Sequence, residues 1–449
     1  MLGLGASGMS MARWLASRGA RVRVADSREE PPFANQLRSE LPDVELQTGP
    51  FRPSTFTGVD QIAISPGVPL AESNVQAAIA RGADVVGDIE LFARIRDEFP
   101  KARVVAITGS NGKSTVTEMV GVMCKHAKVR TLVAGNIGLP ILDALHEVEI
   151  GKRRRPDIFV LELSSFQLET TSTLNAEATA VLNLSEDHLD RYAGMPDYAR
   201  AKERVFLGDG VQVLNREDPQ VLEMQKEGRR AFTFGTSEPW HEKDFGLREI
   251  EGDLWLAQGR ANLMPVSGLQ VAGLHNALNA LAALALCRAL NLHYEPLLDA
   301  LYEFKGLPHR VQKIADINGV SFYDDSKGTN VGATVAALKG MAQKVVLIAG
   351  GDGKGQDFSP LKDAVEQKAR AVVLIGRDRE KIAAVLEQTG VELARATDMP
   401  DAVRTSMRLA QPGDAVMLSP ACASFDMFRN YEHRAQVFTD AVRALEVAA

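Results

Sequence analysis

The sequence predicts an α/β protein of three domains: a Rossmann-like N-terminal domain, a central P-loop mononucleotide-binding domain with a mainly parallel sheet, and a C-terminal Rossmann-like α/β domain. Three observations lead to this fold class. A glycine-rich fingerprint occupies residues 3–8. An apolar run of β-branched residues enters a glycine-rich loop within residues 104–115. Apolar strands then alternate with helical stretches, which is typical of parallel sheets covered on both faces.

The composition fits an ordinary globular protein and excludes several classes. The chain has 449 residues, 45% of them hydrophobic, which is enough for roughly two to four domains. Its net charge of −7 argues against nucleic-acid binding, since such proteins are usually basic. No apolar run is long enough to span a bilayer, and the first residues lack a secretory signal. Three scattered cysteines fit the reducing cytoplasm, where we expect the protein to reside.

The first domain is expected over residues 1–91, with strands at 22–25 and 61–64. Residues 3–8 match GxGxxG, and Asp26 follows at the end of a strand, as in a dinucleotide fingerprint with its ribose-binding acid. Only two residues precede the fingerprint, so either the first strand is missing or a later segment covers that part of the sheet. Two ligands remain open at this stage: NAD, or the diphosphate or uridine of another nucleotide.

The second domain is expected over residues 92–305 and contains the most informative stretch of the chain. Its predicted strands cover 104–108, 131–134, 157–162, 178–183 and 211–215. The first of these feeds the loop Thr108-Gly109-Ser110-Asn111-Gly112-Lys113-Ser114-Thr115. Backbone N–H groups of such a loop wrap phosphate oxygens, the lysine neutralises the terminal phosphates, and the hydroxyl after it binds Mg²⁺. The loop is shorter than GxxxxGK[ST] because Ile107 stands where the first glycine belongs.

Polar residues follow two further strands of this domain. Glu162 ends an apolar strand and is well placed to hold Mg²⁺, although a helix-capping acid is the alternative. Residues 185–192 then form a polar loop that contains His188, a better site candidate than an isolated histidine. Lys202, on a helical stretch, would by itself be taken for a solvated surface lysine. Asn279 lies three residues from Asn276 on one helical face and needs a partner if it is buried.

The third domain is expected over residues 306–449, after a hinge at Gly306-Leu307-Pro308. Its strands are predicted at 320–324, 344–349, 371–375 and 415–419, and the loops after three of them are polar or rich in glycine. Ligands of open α/β sheets collect at the carboxyl ends of strands, so these loops predict one binding crevice. Lys354 in the second loop is expected to meet a carboxylate. Cys422 in the third is more often a small buried residue than a nucleophile.

Taken together, these segments resemble the Mur ligases of bacterial peptidoglycan synthesis, in particular the branch that adds D-glutamate. The resemblance covers nearly the whole chain. Its blocks are 3–8, 87–91, 108–115, 135–138, 161–169, 186–192, 307–310, 325–330, 350–354 and 419–424. The blocks at 162–169 and 419–424 are the most particular to this branch, and the Asp-Asn-Pro-Arg motif of the diaminopimelate-adding enzyme is absent. Two departures are the truncated first strand and the residues Asp324 and Gly328, where relatives often have Asn and Ala.

The resemblance implies a set of site residues. Its ATP-binding positions are Gly109 to Thr115 together with Asn279, Arg310 and Asp325. Positions along the UDP-linked substrate are Ala6, Ser7, Asp26, Ser27, Gly67, Asn136, Gln167 and His188. The D-glutamate pocket is implied to contain Thr329, Lys354, Ser424 and Tyr431. Ser114 and Glu162 would hold one Mg²⁺, and His188 and a carbamylated Lys202 a second. Lys113, His188 and Lys202 would carry the catalysis.

The implied activity is an ATP-dependent ligation that joins UDP-N-acetylmuramoyl-L-alanine to D-glutamate through an acyl phosphate. We expect a monomer with no nucleic-acid or membrane partner. Other Mur-type or folylpolyglutamate-type ligases are the main alternative. An NAD-linked oxidoreductase, suggested by residues 3–8 and Asp26, and a nucleotide-gated switch without a ligase product are less favoured.

Overall fold

A computed structural model describes residues 1–271 and 273–448 of the chain. Three separate sheet systems follow one another along the sequence, each flanked by helices. In the part of the chain that the structure describes, no helix is long and apolar enough to cross a membrane. The predicted α/β class with three domains is therefore observed, and the order of the domains is the predicted one.

The N-terminal domain contains two short parallel pairs of strands. Its strands are β1 (Arg23–Asp26), β2 (Glu45–Thr48), β3 (Gln61–Ala63) and β4 (Asp84–Val86), and its helices are α1 (Ala6–Ser17), α2 (Ala34–Glu40), α3 (Ser73–Ala80) and α4 (Asp88–Ala93). β1 pairs with β2, and β3 with β4. The sequence analysis missed β2 and β4, because β2 is mostly exposed and both strands are only a few residues long. α4 runs across the expected domain boundary at residue 91.

The truncated first strand is present as one residue that joins the two pairs. Leu2 forms parallel bridges to Ala25 of β1 and to Ile64 just after β3. Its N–H donates to Ala63 O at 2.8 Å, and its carbonyl accepts from Ser65 N at 2.9 Å. The Leu2 side chain is buried, so it also fills the core between the pairs. Leu2, just before the fingerprint, therefore lies where the first strand was expected, and no later segment of the described chain takes that place.

The central domain is built on a nine-stranded sheet with the order β13-β12-β11-β10-β9-β8-β5-β7-β6. Its strands are β5 (Arg103–Thr108), β6 (Thr131–Gly135), β7 (Ile158–Glu162), β8 (Ala178–Val181), β9 (Val211–Asn215), β10 (Ala231–Phe234), β11 (Asp244–Ile250), β12 (Asp253–Gln258) and β13 (Ala261–Pro265). The seven strands β5 to β11 are parallel to one another. β12 and β13 continue the sheet beyond β11 in antiparallel pairing. β10 to β13 were not predicted, and the strand expected over 178–183 ends at Val181.

Two apolar helices cover the face of this sheet that supports the phosphate loop. The helices of the domain are α5 (Lys113–His126), α6 (Ile141–Glu149), α7 (Ser165–Glu169), α8 (Met195–Glu203), α9 (Pro219–Leu222), α10 (Leu274–Ala289) and α11 (Tyr294–Glu303). α5 and α10 pack in one buried cluster with β5, β7 and β8. The continuous alanine and leucine run of α10 is buried almost completely, which explains its lack of a polar face.

The C-terminal domain has a six-stranded sheet with the order β14-β15-β19-β16-β17-β18. Its strands are β14 (Gln312–Ile317), β15 (Val320–Asp324), β16 (Val345–Gly350), β17 (Ala369–Ile375), β18 (Glu392–Arg395) and β19 (Ala415–Leu418); its helices are α12 (Val331–Gly340), α13 (Leu361–Lys368), α14 (Arg379–Leu386), α15 (Met399–Leu409) and α16 (Tyr431–Ala448). All neighbours are parallel except β14 and β15. Only the edge strands β14 and β18 were not predicted.

The N-terminal domain is fastened to the central domain by buried polar contacts. Asp88 accepts from Gln167 Nε2 at 3.0 Å, and both side chains are buried. Glu90 accepts from the backbone N–H groups of Ser172 and Thr173 at 2.8 and 3.0 Å. Burial raises the pKa of Asp88 to about 6 despite the hydrogen bond from Gln167. Such contacts fix the two domains against each other.

Candidate active site

The phosphate loop has the geometry of a phosphate cradle. Gly112 has a φ of +83° immediately before α5, and a Cβ there would lie 2.6 Å from Asn279 Oδ1, so this position requires glycine. The side chain of Asn183 braces the loop from β8, since its Oδ1 accepts from Asn111 N at 2.8 Å and its Nδ2 donates to Asn111 O at 3.0 Å. Lys113 Nζ donates to the Gly109 and Ser110 carbonyls at 2.8 and 2.9 Å. The loop backbone is thus held in one shape, and the Lys113 ammonium group is folded against it.

A cavity of about 310 Å³ opens beside this loop, between the central and C-terminal domains. Residues of the phosphate loop, of α10 and of the C-terminal domain share its wall. Its lining includes Asn111, Gly112, Thr115, Asn279, Arg310 and Asp325. All of these were implied ATP-binding positions, and the structure brings them together from three separate segments of the chain.

The three distant members of this lining offer complementary polar groups. Asn279 is half-buried, and its Nδ2 donates to Asn276 Oδ1 at 3.2 Å. Arg310 Nε is buried and has no hydrogen-bond partner among the described residues. Asp325 accepts from Ser419 Oγ at 2.6 Å, and burial raises its pKa to about 7. The cavity therefore holds an unpaired cation and a buried carboxyl group, which suit a phosphate and a sugar hydroxyl.

Glu162 has one carboxylate oxygen left for a metal. Its Oε1 accepts from Asn136 Nδ2 at 2.8 Å, whereas Oε2 is buried without a partner among the described residues. Glu162 does not cap the next helix, because Ser164 caps α7 through a hydrogen bond from Gln167 N. The capping alternative is thus wrong. The described residues contain no group of three or more His, Cys, Asp or Glu arranged around a metal. Glu162 and the buried Ser114 fit Mg²⁺, which takes few protein ligands and fills its shell with water and phosphate oxygens.

His188 and Asp187 form the polar centre of the loop after β8. His188 has a φ of +56°, and its N–H donates to Asp187 Oδ1 at 3.0 Å. Burial lowers the pKa of His188 to about 4, although Asp187 opposes the shift, so the imidazole is neutral near pH 7 and able to bind a metal. Burial alone would raise the pKa of Asp187, but Lys354 and His188 bring it below its usual range.

Lys202 is almost completely buried and lies beneath the phosphate loop, in contrast to the surface position that its sequence context suggests. Its Nζ donates to Gly109 O at 2.9 Å and lies 4.5 Å from the centre of the Tyr198 ring. Burial, together with the charge of Lys113, lowers the pKa of Lys202 well below its usual value. The position therefore favours the neutral form of the amine more than an exposed position would.

The three polar loops of the C-terminal domain meet as predicted at the carboxyl ends of β15, β16 and β19. Asp352 and Ala423 pair as an antiparallel bridge, and Ala421 N donates to Gly328 O at 3.0 Å. Lys354 forms an ion pair with Asp187 of the central domain, a carboxylate of the protein itself. Thr329 lies next to Asn330, whose Nδ2 donates to Asn111 Oδ1 at 3.0 Å. These contacts close the C-terminal domain onto the phosphate loop.

Three further residues in or near these loops were singled out in the sequence. Ser424 is buried, and Tyr431 begins α16 with its ring 6.1 Å from that of His309. Cys422 is buried, as expected, and burial raises the pKa of its thiol to about 12, which disfavours the nucleophilic thiolate. The polar residues of this region therefore remain its candidates for binding.

The implied UDP positions of the N-terminal domain lie at the start of α1, at the end of β1 and in the loop after β3. Asp26 is buried at the end of β1, where its Oδ2 accepts from Leu4 N at 2.6 Å and from Arg28 Nη2 at 2.6 Å. Arg28 also donates to Oδ1. The bond from Leu4 means that Asp26 holds the glycine loop in place. Because both of its oxygens already accept hydrogen bonds, Asp26 is less available to bind a ribose hydroxyl. The exposed residues at this edge are Ala6, Ser27 and Gly67, with Ser7 half-buried beside them. In the central domain, Gln167 contacts Asp88 of the N-terminal domain, whereas Asn136 contacts Glu162.

Comparison with known proteins assigns the chain to a family. The MurD-like N-terminal domain of Mur ligases matches residues 1–87, the Mur ligase middle domain residues 107–287, and the Mur ligase glutamate ligase domain residues 309–422. A UDP-N-acetylmuramoylalanine--D-glutamate ligase from Thiobacillus denitrificans is 60% identical over 457 residues, which cover 99% of this chain and 96% of the relative. The chain belongs to the Mur ligase family. A second such ligase, from Nitrosospira multiformis, is 58% identical over 454 residues, or 100% of this chain and 95% of the relative.

Solved Mur ligase structures share the fold at much lower sequence identity. UDP-N-acetylmuramate-alanine ligase MurC from Thermotoga maritima superposes with a TM-score of 0.62 at 20% identity, covering 99% of this chain and 98% of that chain. MurF from Acinetobacter baumannii superposes with a TM-score of 0.64 at 18% sequence identity, covering 99% of this chain and 90% of that chain. The predicted three-domain Mur ligase fold and the predicted family are confirmed, and the chain's relatives are ligases.

Some residues that build this Mur ligase site were not singled out in the sequence. Tyr198 is buried with its hydroxyl 3.2 Å from Ser110 Oγ, and its ring packs on Lys202. Asn330 and Asn183 hold the phosphate loop from two different domains. Each is a polar residue near a strand end or in a polar helix, and only the tertiary structure distinguishes it from its neighbours.

Proposed function

We propose that this Mur ligase uses ATP to join D-glutamate to UDP-N-acetylmuramoyl-L-alanine by an amide bond. Residues 1–91 would bind the UDP end, residues 92–305 ATP, and residues 306–449 D-glutamate. We further propose that it acts as a monomer in the cytoplasm, without nucleic-acid or membrane partners. The observation that carries the proposal is the single cavity shared by the phosphate loop, Arg310 and Asp325, next to the Asp187–Lys354 contact.

The first half of the reaction makes the substrate carboxylate reactive. A carboxylate is a poor electrophile because oxide is a poor leaving group, so transfer of the ATP γ-phosphoryl group to it creates an acyl phosphate that can lose phosphate. Lys113 would release the Gly109 and Ser110 carbonyls and bind the transferred phosphoryl group. Arg310 would contact the phosphates and Asp325 the ribose, while Asn279 would lie near adenine. Positioning and charge neutralisation account for most of the catalysis in such transfers.

Mg²⁺ would supply charge neutralisation on the phosphates, with Ser114 and Glu162 as ligands of one ion. His188, neutral near pH 7, and a carbamylated Lys202 would hold a second. Neighbouring residues orient these groups. Asp187 accepts from the His188 backbone N–H, and Asn136 donates to Glu162 Oε1. The second oxygen of Glu162 stays available.

The second half of the reaction forms the amide. The amine of D-glutamate attacks the acyl carbon, the tetrahedral oxyanion collapses, and phosphate leaves. Lys354 would exchange Asp187 for a substrate carboxylate, while Thr329, Ser424 and Tyr431 complete the pocket around D-glutamate. Closure of the C-terminal domain over the phosphate loop protects the acyl phosphate from water. On the other side, Ala6, Ser7, Asp26, Ser27, Gly67, Asn136 and Gln167 would line the UDP-linked substrate.

An amino-acid panel in a phosphate-release assay tests the proposed function. With ATP, Mg²⁺ and UDP-N-acetylmuramoyl-L-alanine present, we expect D-glutamate to stimulate phosphate release at least about tenfold more than L-glutamate or diaminopimelate, because one mismatched polar contact costs about that much. The product is identified by mass spectrometry as the D-glutamate amide. Equal stimulation by a different amino acid would indicate another Mur-type or folylpolyglutamate-type ligase. ATP hydrolysis indifferent to every amino acid would reject the ligase.

A carbamate on Lys202 gives a separate prediction. A neutral amine adds CO₂ to form an N–C bond with release of one proton, and the buried Lys202 has its pKa lowered by desolvation. We expect activity to fall severalfold in CO₂-depleted buffer, because Lys202 then remains an amine and would not hold the second Mg²⁺. Bicarbonate should restore the carbamate and the activity. Labelling with ¹³C-bicarbonate should give a carbamate NMR signal that Lys202→Arg lacks. Full activity without CO₂ and no carbamate signal would contradict the modification.

A further inference from the structure

We propose that Arg191 is a positioning residue that orients the Gly67 N–H toward the diphosphate of the UDP-linked substrate. This inference rests on the proposed function, since it assumes a UDP-linked substrate in the seam between the first two domains. Arg191 belongs to the polar loop of the central domain, whereas Gly67 lies in the loop after β3 of the N-terminal domain. The arginine therefore acts across a domain boundary.

The contacts of the Arg191 guanidinium are specific and largely shielded from solvent. Nη1 donates to Pro66 O at 2.7 Å, and Nη2 lies 3.4 Å from Val68 O. Nη2 also donates to Glu169 Oε2 at 2.8 Å. The side chains of Arg191 and Glu169 are only 12% and 16% exposed, so these charge-assisted bonds are weakly screened by solvent.

The contact with Pro66 fixes the direction of the next N–H group. Pro66 O and Gly67 N belong to the same trans peptide unit, whose carbonyl and N–H point in opposite directions. Because Arg191 holds the carbonyl, the Gly67 N–H points away from the guanidinium. Among the described residues, no acceptor receives this N–H, Gly67 is exposed, and a Cβ built on it would meet nothing within 4 Å. The Gly67 N–H is thus an unpartnered donor in an exposed turn, and the Arg191 contact restrains the orientation of its peptide.

The same arginine ties this loop to the catalytic loop. Arg191 N donates to His188 O at 2.9 Å, which closes the turn in which His188 has its positive φ. The guanidinium lies 4.1 Å from the centre of the Phe166 ring, and the His188 ring lies 4.7 Å from that ring on centroids. One compact turn therefore places His188 in the site and the Pro66–Gly67 peptide at its edge. We therefore expect Arg191 to fix the distance between the Gly67 N–H, which would bind the diphosphate, and His188, which lies near the reacting end of the substrate.

Calorimetric titration of the full-length protein with UDP and with uridine tests the role. The variants are Arg191→Gln, which removes the charge and the fork, and Arg191→Lys, which retains the charge. We expect Arg191→Gln to weaken UDP binding about tenfold, the value of one charge-assisted hydrogen bond, and to leave uridine binding unchanged. Arg191→Lys should recover part of the UDP affinity. In the ligase assay, KM for the UDP-linked substrate should rise by a similar factor, while kcat and KM for ATP stay within about twofold.

Arg13→Gln is the matched control. Arg13 also bridges the first two domains, since its Nη1 donates to both oxygens of Asp143 at 3.0 and 3.1 Å, but it lies away from the Gly67 loop. UDP affinity should be unchanged in this variant. Unchanged UDP affinity in Arg191→Gln, or an equal loss for UDP and uridine, would overturn the inference. If Arg191→Gln does not fold, Arg191→Lys decides: a loss confined to UDP supports the role, and wild-type UDP affinity overturns it. Absence of UDP binding in the unmodified protein would overturn the proposed function as well.

Discussion

Replacement of Lys113 by alanine is expected to lower kcat/KM by about 10²-fold or more, the usual effect of losing one charge-stabilising group in the transition state. The Lys113 ammonium group sits at the start of α5 and already contacts the carbonyls that surround the phosphate position. Desolvation lowers its pKa, whereas Glu162 and Asp187 raise it, so negative phosphates would stabilise the charged form further. Phosphate release with all substrates present measures the effect.

The matched control for this prediction lies on the same helix. Lys125, in the last turn of α5, is exposed, so Lys125→Ala should keep activity within about twofold. Thermal unfolding of both variants checks that the fold is intact. A folded Lys113→Ala variant with more than a tenth of wild-type activity would mean that Lys113 does not neutralise the transferred phosphoryl group.

The parallel strands from β5 to β9 and the inner strands of the C-terminal sheet could be predicted from sequence, because most of them are apolar runs that are buried on both faces. β16 and β17 illustrate this, since nearly all of their residues are buried. Edge strands such as β18 carry a weaker signal, because both ends of β18 are exposed and its central pair, Leu393 and Ala394, is only half-buried. Their assignment depends on the neighbouring strand and not on their own composition.

Turn residues held information that hydrophobic patterns did not. Asn318 and Gly319 both have positive φ between the paired residues Ile317 and Val320, which is a two-residue hairpin turn of the type that favours Asn-Gly. That dipeptide was a usable signal for β14. Glu251 and Gly252 make the same kind of turn between β11 and β12, but Glu is an unusual residue for it, so that hairpin was harder to predict.

The site could be predicted in part, for a related reason. Glycine loops and polar strand ends identify the phosphate cradle and the C-terminal crevice from sequence, and the family resemblance adds the distant positions. Lys202 has no local feature that separates it from a surface lysine, and its burial under Gly109 is set by the packing of α8. Arg191 likewise gains its contact with Pro66 only when two domains meet. Residues that act across domain boundaries leave no periodic pattern in the chain.

Replacement of Phe159 in β7 by alanine is expected to destabilise the protein, because this ring packs where the N-terminal domain meets the central domain. This ring is buried and contacts Phe92 of α4 edge-on, with centroids 4.9 Å apart, and Phe99 at 5.5 Å. Phe159→Ala removes the centre of this cluster and leaves a cavity that the rigid sheet cannot close. We expect a loss of about 3–5 kcal/mol in the free energy of unfolding.

Denaturant titration followed by circular dichroism measures this loss. Phe425, which is 74% exposed, provides the matched control, because Phe425→Ala removes an equal ring that is not packed in a core and should change stability by less than about 0.5 kcal/mol. Phe159 precedes Glu162 on the same strand and supports α4, which follows the N-terminal sheet. The Phe159→Ala variant should therefore also lose UDP affinity at temperatures where the wild type retains it. Similar stability in both phenylalanine variants would show that the aromatic cluster does not fasten the two domains.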